Sequence, residues 1–296
     1  MPPLWTALVV THNSEADLPG LLQSLDRFAD PAPEVVVVDS GSANGPPAVT
    51  REGMRVESLD TNAGFGAANN RGLALVETPV TVLVNPDVVV RDAGLETLAR
   101  RAHGRDALLV PRLLESDGRV QRSAHPLPGT LGAAAAAPFP PALLPPGVRM
   151  RMEPFRSDRA RTVGWAIAAC VAAPTGLLRR LGPFDARDFL FFEDMDLCLR
   201  ARDQGVPTEL HPDVQVVHAG GRSVRSRYPA EPYELLATRR REVVGARRGR
   251  RALMLDDLAQ ILTFASRVAG RIALARDSSR QRAQLAALWR SRHWST

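Results

Sequence analysis

The chain has 296 residues, of which 45% are hydrophobic, and a formal net charge of +6. That length suits one α/β catalytic domain with an added tail, and the apolar fraction is enough to build a core, which excludes an unfolded chain. All 38 basic residues are arginine, and the positive balance favours anionic partners: nucleic acid, acidic lipid or a phosphorylated substrate.

The cysteines, Cys170 and Cys198, form no disulfide framework and no CxxC pair, so a reduced, cytosolic setting is the default. The N-terminus lacks a basic region and a cleavage site, so no signal peptide is expected. The alanine-rich run at 131–137 is too short to span a membrane and ends in proline.

In chain order, Leu4 to Val10 is apolar and β-prone and ends in Thr11-His12-Asn13-Ser14. Ser14 followed by Asp17 predicts a capped start for a helix through Leu18, Leu21, Leu22 and Leu25. Val35 to Val38 predicts a buried strand ending in Asp39-Ser40-Gly41-Ser42. A short strand near 55–59 leads to the loop Asn62-Ala63-Gly64-Phe65-Gly66 and a helix over 67–76. Val80 to Val84 predicts another strand, closed by Asn85-Pro86-Asp87. Strands alternating with helices predict a parallel sheet with helices on both faces. Ligands of such sheets bind outside the carboxyl ends of the strands. Thr11, Asp39, the 62–66 loop and Asp87 are therefore expected to share one crevice.

Residues 124–160 read as a mobile insertion, because proline and alanine dominate 124–147 with little periodicity. Order resumes over 162–172 and 177–181. A helix is predicted from Glu193 to Gln204, stopped by Gly205, and a strand over 214–217 runs into His218. The first domain is thus 1–230. The tail, 231–296, is helical and basic, with seven arginines between Arg239 and Arg251. It reads either as a helix packed on its own domain or as a membrane-surface helix.

Several residues could carry chemistry. Asp87 is a strand-end carboxylate suited to a hard divalent cation, although Asn-Pro-Asp is also good turn chemistry. His218 could be a metal ligand or a structural histidine. Glu193-Asp194-Met195-Asp196 opens a helix, where carboxylates are favoured by the dipole alone. The apolar segment before it would raise a carboxyl pKa, which suits a general base taking a proton from an acceptor hydroxyl. Arg200 could pair with Asp196 or with phosphate. The Asn-x-Gly-x-Gly loop fails the dinucleotide fingerprint but permits close backbone approach to a ligand.

The order of these segments is more specific than any one of them. Strand then Thr-His-Asn-Ser, strand then Asp-Ser-Gly-Ser, Asn-x-Gly-Phe-Gly-x-x-x-Asn, strand then Asn-Pro-Asp, Gly-Pro-Phe-Asp, Phe-Phe-Glu-Asp-x-Asp-Leu-Cys-x-Arg and His-x-x-Gly-x-Ser together resemble the family 2 glycosyltransferases, in their bacterial rhamnosyltransferase-like branch. The resemblance covers roughly residues 5–225. It implies a GT-A fold: a Rossmann-like, mixed but mainly parallel sheet flanked by helices, here with a C-terminal helical tail.

The resemblance also implies roles. Thr11 and Asn13 would line the nucleotide, Asp39 would hydrogen-bond the base, and Asn62 and Gly64 would meet the nucleotide or its ribose with Asn69 close by. Asp87 matches the last acid of the family's Asp-x-Asp metal motif, whose first position is Asn85 here. Trp165 falls where an aromatic lies near donor and acceptor sugars, although Ala166 to Ala169 replace the usual Gly-Ala pattern after it. Asp194 matches the catalytic base, with Glu193 beside it. His218 matches a metal ligand, and Ser223 completes its motif. The implied activity is inverting transfer of a sugar, assisted by Mg2+ or Mn2+. The donor would be dTDP-rhamnose or a UDP-sugar, and the acceptor a glycan or polyprenyl-linked hydroxyl in cell-envelope polysaccharide synthesis. A cytoplasmic protein is expected, with peripheral contact to an anionic inner membrane face left open.

Rival readings differ in signals this sequence lacks. A sugar-phosphate nucleotidyltransferase would open with a glycine-rich loop and a basic residue after the first strand. A non-catalytic nucleotide-sugar binding module would not need Asp194 and His218 together. Nucleic-acid binding is disfavoured because only 5% of residues are aromatic.

Overall fold

The structure is a computed structural model that describes residues 3–14, 16–182, 184–185, 191–220 and 231–292. It divides into two compact units. The first comprises described residues within 1–124 and 155–227, and the second those within 125–154 and 228–296.

The first unit is built on a mixed sheet. Its strands are β1 (Trp5–Thr11), β2 (Glu34–Ser40), β3 (Met54–Leu59), β4 (Val80–Val84), β5 (Val88–Val90), β6 (Leu108–Leu114), β8 (Arg161–Val163), β10 (Cys170–Pro174) and β11 (Thr208–His218), with short β7 (Ala124–His125) and β9 (Trp165–Ala166) outside it. The order is β3-β2-β1-β4-β10-β6-β11-β5, with β8 on β11. Strands β3, β2, β1 and β4 are parallel, so Thr11, Asp39 and Asn85 emerge at one edge, the carboxyl ends of β1, β2 and β4. β10 is inserted antiparallel between β4 and β6, and β11 runs parallel to β6.

The valine run of β2 is buried throughout, as expected of a strand covered on both faces. Helix α1 (Leu18–Phe28) buries Leu18, Leu21, Leu22 and Leu25, an i, i+3, i+4, i+7 stripe facing the core. Its start differs from the predicted capped start. The Ser14 hydroxyl donates to the His12 carbonyl at 3.2 Å, a local bond that competes with capping, and the helix begins at Leu18 with Pro19 in its first turn. Helix α2 (Gly64–Leu73) lies so close to the sheet that a Cβ on Gly72 would overlap Leu8 and sit 2.8 Å from Val38 Cγ2. Helices α3 (Gly94–Ala102), α6 (Thr175–Leu181) and α7 (Glu193–Asp203) complete the described helices of this unit. Gly205, at φ +78°, follows α7 as its sequence position predicted. Both thiols are buried in this unit, which pushes Cys170 up to about 12 and Cys198 up to about 11 and leaves them inert.

The second unit is helical. Residues 131–136 form α4 and 146–152 form α5, and they group with the C-terminal helices rather than with the sheet. Helical segment α8 (Tyr233–Ala273) is broken at Gly249, whose φ of +76° and ψ of 173° no helix contains. Arg240 makes two 2.8 Å bonds to the Asp256 carboxylate, and Arg241 pairs with Asp257. Sixteen residues of straight helix would separate such partners by about 24 Å, so the chain doubles back at Gly249. Helix α9 (Ser279–Ser291) packs on α8, with Arg290 bonded to Glu234 at 2.8 Å. Helix α4 meets α8 where Gly129 passes the Ala252 carbonyl with no room for a side chain. Several of the tail's arginines therefore neutralise acids within the unit. No described helix is long and apolar enough to cross a membrane.

Candidate active site

At the carboxyl ends of β1 and β2, side chains lock two loops together. Asp39 is fully buried. Its carboxylate accepts from the Thr11 hydroxyl at 3.0 Å, the Ser42 amide at 3.0 Å and the Ser42 hydroxyl at 2.5 Å. Asn13, in the left-handed region at φ +52°, accepts from the Ala43 amide at 2.9 Å, and its own amide donates to Ser42 Oγ at 2.8 Å. Asn62 Oδ1 accepts from Ser40 Oγ at 3.3 Å and from the Gly64 amide at 2.9 Å, which ties the third loop to the second. Gly41 is obligatory, because a Cβ there would lie 2.5 Å from the Thr61 carbonyl carbon and its φ is +63°. Thr11, Asn13, Asp39, Asn62 and Gly64 thus form one connected polar edge.

Asn69 stands apart. It is buried, and its amide donates back to the Phe65 carbonyl at 2.9 Å inside α2. The neighbouring Asn70 reaches further: it donates to the Phe184 carbonyl at 2.8 Å and accepts from the Phe184 amide at 3.2 Å. Phe184 in turn sits edge-on to Phe65, with ring centroids 5.3 Å apart. Asn70 ties Phe184 to α2, a role for which the sequence carried no signal.

The second cluster follows from the short strand β5. Val88 pairs with His218 across β5 and β11, so Asp87 and His218 arrive side by side. His218 Nε2 lies 3.4 Å from Asp87 Oδ1 and 3.4 Å from Asn85 Nδ2. Asp87 Oδ2 accepts from the Gly220 amide at 2.8 Å, and the other ring nitrogen, His218 Nδ1, lies 3.0 Å from Gln121 Oε1. A carbonyl oxygen can only accept, so Nδ1 donates to it, and in the neutral ring the Nε2 lone pair then faces the carboxylate. Two acceptors 3.4 Å apart suit a shared cation. Adjacent ligands of an octahedral ion at about 2.1 Å each stand about 3 Å apart. The carboxylate suits either Mn2+ or Mg2+, and the imidazole nitrogen favours Mn2+, the softer of the two. Among the described residues no group of three or more His, Cys, Asp or Glu could hold a metal.

The third element is α7. Phe191 and Phe192 both adopt left-handed backbone, φ +73° and +64°, an arrangement bulky residues avoid and one that concentrates at functional sites. Phe192 lies beside Trp165, ring centroids 6.0 Å apart. Glu193 is the first residue of α7 and is buried. Burial pushes the Asp194 carboxyl up to about 6, although backbone amides of Met195 and Ala168 donate to it and pull the other way. The Met195 contact is 2.7 Å. Such a carboxyl is ionised near neutral pH yet basic enough to take a proton. Asp196 is bound to Arg200 at 2.7 Å, and Arg200 also caps α6 through the carbonyls of Leu181 and Gly182. Of the two partners proposed for Arg200, the structure supplies Asp196.

The clusters meet in the loop between β9 and β10. The Ala168 amide serves Asp194. The next residue, Ala169, accepts from the Asn85 amide at 2.9 Å. The base candidate and the Asn85–Asp87 segment are thus held by consecutive residues of one loop. Ser223 lies outside the described residues.

The family model for glycosyl transferase family 2 matches residues 6–181. The chain belongs to glycosyl transferase family 2. It is 28% identical over 237 residues to the N-acetylglucosaminyl-diphospho-decaprenol L-rhamnosyltransferase of Mycobacterium tuberculosis (strain CDC 1551 / Oshkosh), covering 74% of this chain and 76% of that one. Among solved structures it is similar to the mannosyltransferase PcManGT of Pyrobaculum calidifontis in complex with GDP-Man and Mn2+, at 17% identity and a TM-score of 0.58, over 100% of this chain and 84% of the other. It is also similar to GalNAc-T7 with UDP, GalNAc and Mn2+, at 14% identity and a TM-score of 0.55, over 82% of this glycosyltransferase but 48% of that chain. These structural likenesses confirm the GT-A architecture expected from the sequence.

Proposed function

We propose that this glycosyltransferase is inverting and divalent-metal-dependent. It moves a sugar, L-rhamnose from dTDP-rhamnose or another sugar from a UDP donor, to a hydroxyl of a polyprenyl-linked or glycan acceptor in envelope polysaccharide synthesis. The observation that carries this reading is the facing pair of acceptors, Asp87 Oδ1 and His218 Nε2, tied through Asn85 and Ala168–Ala169 to the raised carboxyl of Asp194. The naming of the mycobacterial relative supports rhamnose and a decaprenyl-diphosphate acceptor. The Mn2+ complexes of the structural neighbours support the metal.

In this scheme Thr11, Asn13, Asp39, Asn62 and Gly64 line the nucleotide, with Asp39 reading the base. Asp87 and His218 would hold the cation, which would supply charge neutralisation for the departing diphosphate. Trp165 and Glu193 border the sugars. Asp194 takes the proton of the acceptor hydroxyl as that oxygen forms its bond to the anomeric carbon. The bond from that carbon to the diphosphate breaks on the opposite face, and its electron pair leaves with the nucleoside diphosphate. One displacement inverts the configuration, and no covalent enzyme intermediate forms.

The helical unit supports contact with an anionic bilayer at the cytoplasmic face. Leu131 and Leu143 are 73% and 75% exposed, Phe139 is exposed between them, and Arg149 and Arg151 follow on α5.

The test is product stereochemistry. The purified protein is incubated with dTDP-rhamnose, Mn2+ and N-acetylglucosaminyl-diphospho-prenol, and the new linkage is assigned by NMR. An anomeric configuration opposite to the donor's, formed only with metal, supports the proposal. Retained configuration, or full activity in EDTA, overturns it.

A further inference from the structure

The polar contact that orients His218 comes from outside every segment the sequence singled out. Gln121 lies in the turn after β6, where it is held on both sides: its amide donates to the Leu113 carbonyl at 2.9 Å, and its carbonyl accepts from the Ser123 amide at 2.9 Å. Its side-chain Oε1 is 3.0 Å from His218 Nδ1. The frame continues past Ser123, whose carbonyl accepts from the Ile167 amide at 2.8 Å. Ile167 precedes Ala168 and Ala169, the residues that serve Asp194 and Asn85.

Gly220 completes the arrangement. At φ +66° it turns the chain so that its amide reaches Asp87 Oδ2, and a Cβ there would stand 3.4 Å from Gln121 Nε2 and 3.6 Å from His218 Cε1.

We propose that Gln121 is the positioning residue of the metal site: it accepts the Nδ1 proton of His218, fixes the Nδ1–H tautomer and aims the Nε2 lone pair at the cation shared with Asp87. Partners of this kind set the orientation of a ligand imidazole, and their loss typically costs ten- to a hundredfold in metal affinity. Without an acceptor at Nδ1, the ring is free to take the Nε2–H tautomer and to donate to Asp87, which closes the site to metal. The inference rests on the metal-dependent reading proposed above, and its test separates the two.

The experiment uses the full chain, with Mn2+ alone as the probe and free Mn2+ read by electron paramagnetic resonance. The variants are Gln121→Leu, Gln121→Glu and His218→Ala. A second readout needs no metal: the 15N shifts of the His218 ring in metal-free protein, which distinguish the tautomers. Gln121→Leu is expected to weaken Mn2+ binding at least tenfold and move the ring away from the Nδ1–H form. Gln121→Glu, which restores an acceptor, is expected to bind Mn2+ within threefold of wild type or tighter. If Gln121→Leu fails to fold, Gln121→Asn, one methylene short of the ring, gives the same contrast. Wild-type Mn2+ binding that is lost in His218→Ala but unchanged in the Gln121 variants, with an unchanged tautomer, overturns the role of Gln121 and leaves the metal reading standing. Absence of Mn2+ binding to wild type, or binding indifferent to His218→Ala, overturns both.

Discussion

Replacing Asp194 with asparagine should make the protein more stable and far less active. The carboxyl is raised from 3.8 to about 6 by burial. At about 1.4 kcal/mol per pH unit this is ~3 kcal/mol of native-state cost for the ionised form, and partial exposure of the side chain trims it to roughly 2 kcal/mol. The sign follows from linkage. A folded pKa above the unfolded one means that stability is fully present below about pH 4 and is lost as pH rises through 6. The side chain of the Asp194→Asn variant does not ionise, so the variant keeps what wild type loses. The two proteins should match near pH 4, and the variant should lead by roughly 2 kcal/mol above pH 7, with about half of that gap open at pH 5. Urea unfolding of metal-free protein at several pH values measures the gap. In parallel, kcat should fall by about a hundredfold to ten-thousandfold, the usual contribution of a positioned base. Wild-type kcat should drop below pH 6 as Asp194 is protonated. A stability gap that does not change with pH, or a variant within tenfold of wild-type kcat, would refute the assignment of Asp194 as a base with a raised pKa.

Further outcomes follow from packing and charge. Gly72→Val should destabilise the first unit by about 1–3 kcal/mol, because its side chain must enter space held by Leu8 and Val38; thermal unfolding reads it. Asp39→Asn should weaken dTDP or UDP binding at least tenfold in calorimetry and cost about 1–3 kcal/mol of stability, since its new amide faces the Thr11 and Ser42 donors. Asp256→Ala should cost about 3 kcal/mol by leaving Arg240 without its two bonds, and circular dichroism during urea unfolding should show it. Vesicles rich in phosphatidylglycerol should co-sediment the protein, and phosphatidylcholine vesicles should not, with Leu131→Asp combined with Leu143→Asp reducing the bound fraction at least fivefold.

The strands were legible because buried parallel strands write themselves as apolar runs: Val35–Val38 and Val80–Val84 could be little else. The polar residues at their ends were legible for the same reason, as abrupt breaks in those runs. Helix α1 showed in its leucine spacing, but its start did not, because Ser14 has a local carbonyl to bond and takes it. The helices of 131–152 were hidden by proline and alanine, which mask periodicity when a segment is short and packs through small surfaces, as Gly129 does against Ala252. The fold-back at Gly249 was equally hidden. One glycine in an arginine-rich helix looks tolerable until Arg240 and Asp256 are seen to pair.

Within the site, Thr11, Asp39, Asp87, Asp194 and His218 were marked by motif order. Asn69 was marked too, yet its amide serves Phe65, and the residue that bridges to Phe184 is Asn70. Gln121 was invisible, because a long-range contact of 97 residues leaves no local pattern.

The most direct test is calorimetric titration of dTDP-rhamnose and of UDP-sugars into the purified protein, with and without Mn2+. One donor should bind only when metal is present, and binding should weaken at least tenfold in Asp87→Ala and in His218→Ala. Donor binding that is indifferent to Mn2+ and to both substitutions, or no donor binding at all, would contradict a metal-dependent glycosyltransferase site built on Asp87 and His218.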